Sequence, residues 1–471
     1  MILASGSVAA VDLGATSGRV MLGRFVDGSV RLEQVARFPN GPVSAADGLH
    51  WGFSGLLGAI RSGLAEAMER EPSLASIGID SWAVDYGLVK NGSLLGEPFH
   101  YRDDRTATTV EVVHREVSAV ELYERTGLQQ LPFTTLFQLE ADRVSGALAK
   151  ADTVLLIPDL IAHALTGASV AERTNASTTG LFGVSSREWD HELIDKLGLK
   201  RSLFPPLVDA GTVVGTAADF GGVEVTTVGS HDTASAVVGV PATSDDFAYI
   251  SCGTWGLVGV ELFSPVLTAA SREANFTNEG GVDGRIRYLH NVMGLWLLSE
   301  SVRDWEERGD RIDLTVLLTE AAAVTADVPI FDADDPTFLA PGDMPARIAA
   351  WFTQHGIEPP RSRPEFTRSI VESLAETFAR SVWLAAELSS RTVSVIHLVG
   401  GGSLNSLLCQ STADRSGLPV LAGPVEATAL GNVLVQARAT GLASGTLEEL
   451  RRVVAASFTP REFLPRVRSA R

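Results

Sequence analysis

Apolar and polar positions in the first eighty residues come in short alternating blocks. Val8 to Leu13 is an apolar run closing at Asp12-Leu13-Gly14, the small polar turn Ala15-Thr16-Ser17-Gly18 follows, and Val20 to Val26 is a second apolar run. This is the pattern of a β-hairpin with a polar tip. Val30 to Phe38 adds a third strand. Leu56, Leu57, Ile60, Leu64 and Met68 then recur at helical spacing, and Ile77-Gly78-Ile79-Asp80 returns to a buried-strand pattern. Strands and helices alternating in this way predict an α/β domain with a mixed sheet.

The second half opens the same way. Phe247 to Ser251 reads as a strand, Cys252-Gly253-Thr254-Trp255 as a small polar turn and Gly256 to Leu262 as another apolar strand, which suggests an internal duplication of residues 8 to 26. Val371, Leu374, Phe378, Val382, Ala385 and Leu388 form the apolar stripe of a long helix. Val393 to Val399 reads as a strand ending in Gly400-Gly401-Gly402, with Ser403 the expected cap of the next helix; Pro419 to Ala422 is a further strand and Glu426 to Ala437 a small-residue helix. The segment Pro241 to Asp246 reads as a connector. It divides the chain into an N-terminal domain (1–240), a C-terminal domain (247–455) and a tail (456–471). Pro359, Pro360 and Pro364 read as a loop inside the second domain, and Arg466, Arg468 and Arg471 as a frayed basic tail.

Composition narrows the partners. The 471 residues are 45% hydrophobic and 20% charged, as in globular proteins, and 38 Lys and Arg stand against 57 Asp and Glu, a formal charge of −19. That sign opposes binding along nucleic acid or an anionic membrane surface, so neither partner is expected; a monomer or small homo-oligomer is. A phosphate pocket remains open, because backbone NH groups can build one without net charge. Cys252 and Cys409 form neither a disulfide framework nor a zinc set. The opening Met-Ile-Leu-Ala-Ser-Gly-Ser has no basic, apolar leader. Both point to the cytoplasm.

Several chemistries lose their anchors. Lys90, Lys150, Lys196 and Lys200 are not followed by Ser or Thr, so there is no GxxxxGK[ST] loop, and GxGxxG, HExxH and GxSxG are missing as well. What remains is the turn Asp12 to Arg19, whose glycines and hydroxyl residues let backbone NH groups close on phosphate oxygens, with Asp12 at the strand end able to hold magnesium through water. Such a string also serves as an ordinary tight turn with a solvated Asp. Its twin at Gly253-Thr254 favours the phosphate reading: two hairpins facing across a cleft would grip the two ends of a triphosphate, the design of the actin-like, ribonuclease H-like ATPase fold.

Over roughly residues 8 to 455 the chain resembles the FGGY carbohydrate kinases. The resemblance rests on Val11 to Arg19, Gly78 to Tyr86, Tyr101-Arg102-Asp103, Gly229 to Ala236, Ser251 to Trp255, Asn291 to Trp296, Gly400 to Ser403 and Gly423 to Ala427. It implies two actin-like α/β domains with a ligand cleft between them, ATP and magnesium as cofactors, and a small-molecule sugar as the other partner. It implies Asp232 as general base, a carboxylate task that contributes ~10²–10⁴ in rate; read by itself, Asp232 could instead cap the helix beginning near Thr233. It further implies Ala83, His231, Thr233 and Asn291 at the sugar, with Ala83 where the family usually has glycine. Ala15, Thr16, Ser17, Gly18, Arg19 and Thr254 are implied at the phosphates, Gly400, Gly401 and Gly402 on the adenine side, and Asp12 at the metal. Trp82, Asp85, Tyr101 and Arg102 fall on segments that line the family's sugar site, and Ser299 stands where a glutamine is common. The implied reaction is phosphorylation of L-rhamnulose to L-rhamnulose 1-phosphate. A kinase for L-fuculose or L-xylulose, a sugar sensor and an actin-like structural ATPase stay open.

Overall fold

The computed structural model describes residues 4–466, so Arg468 and Arg471 lie outside the described residues. The twelve strands that matter to the site are β1 (Gly6–Leu13), β2 (Ser17–Val26), β3 (Ser29–Pro39), β4 (Leu74–Ser81), β5 (Val213–Ala217), β6 (Val223–Thr226), β7 (Phe247–Cys252), β8 (Trp255–Leu262), β9 (Ile286–Met293), β10 (Val395–Val399), β11 (Val420–Ala422) and β12 (Arg461–Phe463). The helices are α1 (Phe53–Arg70), α2 (Asp232–Val238), α3 (Arg363–Ser389) and α4 (Ala427–Ala439).

Two compact units result, and neither is contiguous in sequence. The first comprises residues 1–243, 261–288 and 427–458; the second comprises 244–260, 289–426 and 459–471. The first unit carries a sheet of order β5-β6-β4-β1-β2-β3, in which β1 pairs antiparallel with β2 and parallel with β4. Alternation along β1 leaves Val8 and Ala10 on a core face shared with Met21 and Phe25 of β2, Val238 of α2 and Leu430, Val433 and Leu434 of α4. A second core gathers Tyr86, Leu136, Phe137, Leu156 and Phe182.

The second unit repeats the motif. β7 pairs antiparallel with β8 and parallel with β10, and the seven-stranded sheet runs from the edge strand Thr277–Gly280 through β9-β8-β7-β10-β11-β12. Both hairpins were legible from their apolar runs. Three local expectations were not met. Pro364 lies in the first turn of α3 rather than in a loop, where its missing N–H costs nothing, behind a capping box of Ser362 and Glu365. Asn405, not Ser403, caps the helix Ser406–Ser416; Ser403 sits in a single turn and donates to the Gly400 carbonyl. The segment expected as a tail contributes β12, paired with β11, and the Arg466 N–H donates to Asp414 Oδ1 at 2.8 Å. Among the described residues no helix is long and apolar enough to cross a membrane.

Candidate active site

Two carboxylates emerge side by side because β1 and β4 run parallel with Asp12 opposite Asp80. Asp12 is buried and lies 3.5 Å from the Arg19 guanidinium, its cross-strand partner in the hairpin. Asp80 is fully buried: its Oδ2 accepts from Asn432 Nδ2 at 2.6 Å, and Gln436 Nε2 donates to Asn432 Oδ1 at 2.6 Å and to the Ala9 carbonyl at 3.0 Å. Asp80 Oδ1 has no hydrogen-bond partner. Burial first, then the neighbouring charge of Asp12, pushes the Asp80 carboxyl well above the ordinary range.

The loop carrying Asp232 is tied to the end of β4. Ser81 N–H donates to the Ser230 carbonyl at 2.9 Å, and a parallel bridge joins Ser81 to His231. Behind this loop stands Glu172, fully buried, which accepts from Ser230 N at 3.1 Å, Ser230 Oγ at 2.8 Å, Thr174 N at 3.0 Å and the Thr174 hydroxyl. Thr174 Oγ1 in turn accepts from His231 N at 3.3 Å. One carboxylate therefore fixes the backbone immediately before the site. Glu172→Ala strands these buried donors and is expected to cost about 3 kcal/mol or more, with a lowered kcat, read from a denaturant midpoint and initial rates. An unchanged midpoint would contradict the role.

Asp232 is the first residue of α2 and keeps 31% of its side chain exposed, in contrast to the buried residues around it. Its oxygens are unequal. Thr233 N donates to Oδ1 at 2.6 Å, Thr233 Oγ1 at 3.1 Å, and His231 Nε2 lies 3.4 Å from the same atom, while Oδ2 takes none of these donors. Burial raises the Asp232 pKa, opposed by His231, by the Thr233 bonds and by the charge of Arg287. The result is a carboxylate more basic than usual, held in one orientation, with one oxygen left for a proton. Thr233, expected at the sugar, directs both of its donors to this carboxylate. His231 is 6% exposed, and its Nδ1 accepts from Arg287 Nη2 at 3.0 Å.

The remaining expected residues fall into two sets. In the first unit, Gly14 N–H closes on the Ser17 carbonyl at 3.0 Å, leaving Ala15 and Thr16 at the hairpin tip, while Gly18 is buried beneath the Phe38 ring. Ala83 is half-buried on a tight γ-turn: Asp85 N–H donates to the Ala83 carbonyl at 2.9 Å across Val84, whose φ of +66° is rare for a β-branched residue. In the second unit, Thr254 forms the tip of the β7–β8 hairpin, and its carbonyl accepts from Gly294 N and Trp296 N, both at 3.2 Å. Asn291 is half-buried on β9, and Ser299 is exposed on the helix Trp296–Glu307. Gly400 and Gly402 are glycine because the loop presses on Cys252. A Cβ at Gly400 would meet the Cys252 carbonyl at 2.9 Å and one at Gly402 its sulfur at 2.4 Å; at Gly401 it would meet nothing within 4 Å. Of the three, Gly401 alone faces open space.

Asp85 is not available to a ligand. It is 1% exposed and accepts from Trp51 Nε1 at 2.6 Å, Trp82 Nε1 at 3.1 Å, Tyr101 N at 3.2 Å and Gln138 Nε2 at 2.9 Å, with burial pushing its carboxyl up to about 6. It knits the aromatic segment together; Trp82 and Tyr101 are likewise buried. A cavity of about 610 Å³ beside this cluster, lined by Val43, Trp51, Tyr86, Phe99, Arg105 and Lys150 among others, holds none of the expected site residues. Sequence reading missed Glu172, Glu279, Arg287, Asn432 and Gln436. Only Asp80 left a signal, since it ends its apolar strand just as Asp12 does. Asp12 and Asp80 offer the oxygen donors magnesium takes, one or two carboxylates with water and phosphate completing the shell. No group of three His, Cys, Asp or Glu poised to hold a metal ion stands among the described residues.

Comparison with known proteins follows the same lines. The family model described as the N-terminal domain of the FGGY family of carbohydrate kinases matches residues 7–239, and the C-terminal domain of that family matches 248–440. The rhamnulokinase of Bacteroides thetaiotaomicron is 40% identical over 466 residues, 97% of this chain and 95% of that protein. The rhamnulokinase of Pectobacterium carotovorum is 42% identical, covering 99% and 95%. Among solved structures, a ligand-bound xylulose kinase from Lactobacillus acidophilus superposes with a TM-score of 0.79 at 17% identity, covering 98% of this chain and 94% of the other. Plasmodium falciparum glycerol kinase with ADP gives 0.75 at 14% identity, with the same coverage. At these identities the two structures share the fold.

Proposed function

The chain belongs to the FGGY family of carbohydrate kinases, and from that premise we propose that it transfers the γ-phosphoryl group of ATP to L-rhamnulose, giving L-rhamnulose 1-phosphate and ADP. The observation that carries the catalytic reading is the asymmetry of Asp232: both Thr233 donors converge on Oδ1, with His231 Nε2 3.4 Å from the same atom, and Oδ2 takes none of them. Oδ2 takes the proton of the sugar hydroxyl as its oxygen attacks the γ-phosphorus. Phosphoryl transfer passes through a loose transition state, so position and charge matter more than covalent chemistry. His231 stands beside the carboxylate, its Nε2 3.4 Å from Oδ1, and the family pattern makes His231, Ala83 and Asn291 sugar contacts. Thr233 orients the base.

For ATP, the first unit offers the backbone NH groups and hydroxyls of the Ala15 to Gly18 turn and the positive charge of Arg19 to phosphate; taken by itself, the second unit offers Thr254 to phosphate and the Gly400 to Gly402 loop to adenine. Asp12 is the residue that would hold magnesium, through water. When bound, the ion neutralises charge on the phosphate oxygens.

The choice of sugar rests on the relatives named rhamnulokinase at about 40% identity over nearly the whole chain. An apolar wall facing a deoxy carbon rejects an added hydroxyl by only about 10²-fold, whereas losing hydroxyl contacts costs ~10⁴ or more. Across a panel of ketoses, L-rhamnulose is expected to show the highest kcat/KM, with ATP turnover rising strongly when it is added. Another ketose ahead by tenfold would overturn the substrate, and ATP turnover indifferent to every sugar would overturn the kinase reading itself.

A further inference from the structure

Behind His231 lies an ion pair that none of the roles above uses. Arg287, on β9, is fully buried; its Nε donates to the Gly280 carbonyl at 2.9 Å, its Nη1 lies 3.0 Å from Glu279 Oε2, and its Nη2 donates to His231 Nδ1 at 3.0 Å. Glu279, on the short strand Thr277–Gly280, is 5% exposed. Burying a guanidinium and a carboxylate is costly unless both are well paired, so their place against one particular imidazole calls for a reason.

We infer that Arg287 is a positioning residue for the catalytic base, fixing the proton of His231 on Nε2 and so aiming it at Asp232 Oδ1. The inference rests on the reading of Asp232 as that base. A guanidinium only donates, so the Nδ1 it touches must present a lone pair. The single proton of the neutral ring then sits on Nε2, 3.4 Å from Asp232 Oδ1. The charged groups around the ring are Arg287, Glu279 and Asp232, with Asp80 and Asp12 beyond Asp232. Glu279 Oε2 is 3.3 Å from Nδ1 and, alone, would draw the proton to that nitrogen. Nε2 would then face Asp232 as one lone pair against another, and the carboxylate would lose a donor on Oδ1. Arg287 prevents this twice over, by engaging Glu279 and by donating to Nδ1 itself. The tautomer of His231 thereby decides whether the ring supports or opposes the hold that Thr233 has on Asp232 Oδ1.

The test is long-range ¹H–¹⁵N correlation of the histidine rings in the whole protein, with His231 assigned by the signal missing in His231→Gln. The expected spectrum shows Nε2 protonated and Nδ1 bare; a protonated Nδ1 in the native protein would overturn the proposal. In Arg287→Leu the proton is expected to move to Nδ1, with kcat down by about 10–100-fold and sugar affinity within about threefold. Because Arg287→Leu takes the guanidinium away from Glu279, the Arg287→Leu/Glu279→Gln double variant supplies a second reading in which both charges of the pair are removed together. A kcat within twofold of native in the double variant would also overturn the proposal. The native tautomer is read without turnover, so failure of the base assignment, seen in Asp232→Asn, is distinguishable from failure of the positioning role.

Discussion

Asp232→Asn is expected to lower kcat by about 10²–10⁴-fold while leaving sugar binding nearly intact. The substitution keeps the side chain's size, and its amide oxygen can still accept from Thr233 N and Oγ1, the donors that fix Oδ1. What disappears is the lone pair of a carboxylate at Oδ2, needed only once the sugar hydroxyl begins to lose its proton. The loss therefore falls on kcat, measured by initial rates, while calorimetric titration with sugar reports an affinity close to native. The pH profile gives an independent reading. A general base works only when ionised, so activity is full above its pKa and falls as pH drops through it. Burial raises the Asp232 carboxyl, so the acid limb of kcat/KM should lie above the ordinary aspartate value of about 3.9 and should be absent from the residual activity of Asp232→Asn. Turnover within a few-fold of native would remove Asp232 from the role.

Gly431→Ala is expected to be the most damaging conservative change away from the site's own side chains. Gly431 lies on α4 where that helix crosses α2, and a Cβ there would fall 1.8 Å from the Ser235 carbonyl oxygen and 2.6 Å from its carbon. Those are backbone atoms of the helix that begins with Asp232, so no rotamer change can relieve the overlap. The same contact is close from the other side, since a Cβ at Gly239 would meet the Ala427 carbonyl at 2.1 Å. Overpacking costs about 1–3 kcal/mol, occasionally more, and the upper end is expected here. Because α2 must shift, kcat should fall with stability. Gly58→Ala is the control. It lies on the exposed face of α1 with nothing within 4 Å of its would-be Cβ, and alanine should be neutral or stabilising by up to about 1 kcal/mol. Equal thermal unfolding of native protein and Gly431→Ala would contradict the packing account.

The parts of this molecule that were legible in sequence are those written locally. Both hairpins announce themselves through an apolar run, a small polar turn and a second apolar run, and Asp12 and Arg19 meet because the turn between them sets their register. Gly-Ser-His-Asp-Thr pointed to Asp232 only through the family resemblance, since by itself the string also reads as a helix cap. The supporting residues carry no such mark. Glu172 bonds to Ser230 from 58 positions away and Arg287 to His231 from 56, and a lone charged residue in a sequence looks like any solvated one until the fold buries it. Asp85 stands in the opposite sense: the resemblance put its segment at the sugar site, yet two indole N–H groups, a backbone N–H and an amide donate to its carboxylate. The grouping of α4 with the first unit was also invisible, since it follows from small residues fitting against α2, a contact between segments nearly two hundred residues apart. The Ser403 expectation lost to Asn405 two positions on, because the helix starts at Ser406 and the Asn405 side chain accepts from Leu408 N.

The most direct test is a crystal structure with sugar and a non-hydrolysable ATP analogue, read at one distance. The account predicts the acceptor hydroxyl of the sugar within about 2.6–3.2 Å of Asp232 Oδ2, with Oδ1 still held by Thr233. A sugar whose acceptor hydroxyl lies beyond hydrogen-bond reach of Asp232, or meets another side chain as its only possible base, would contradict it.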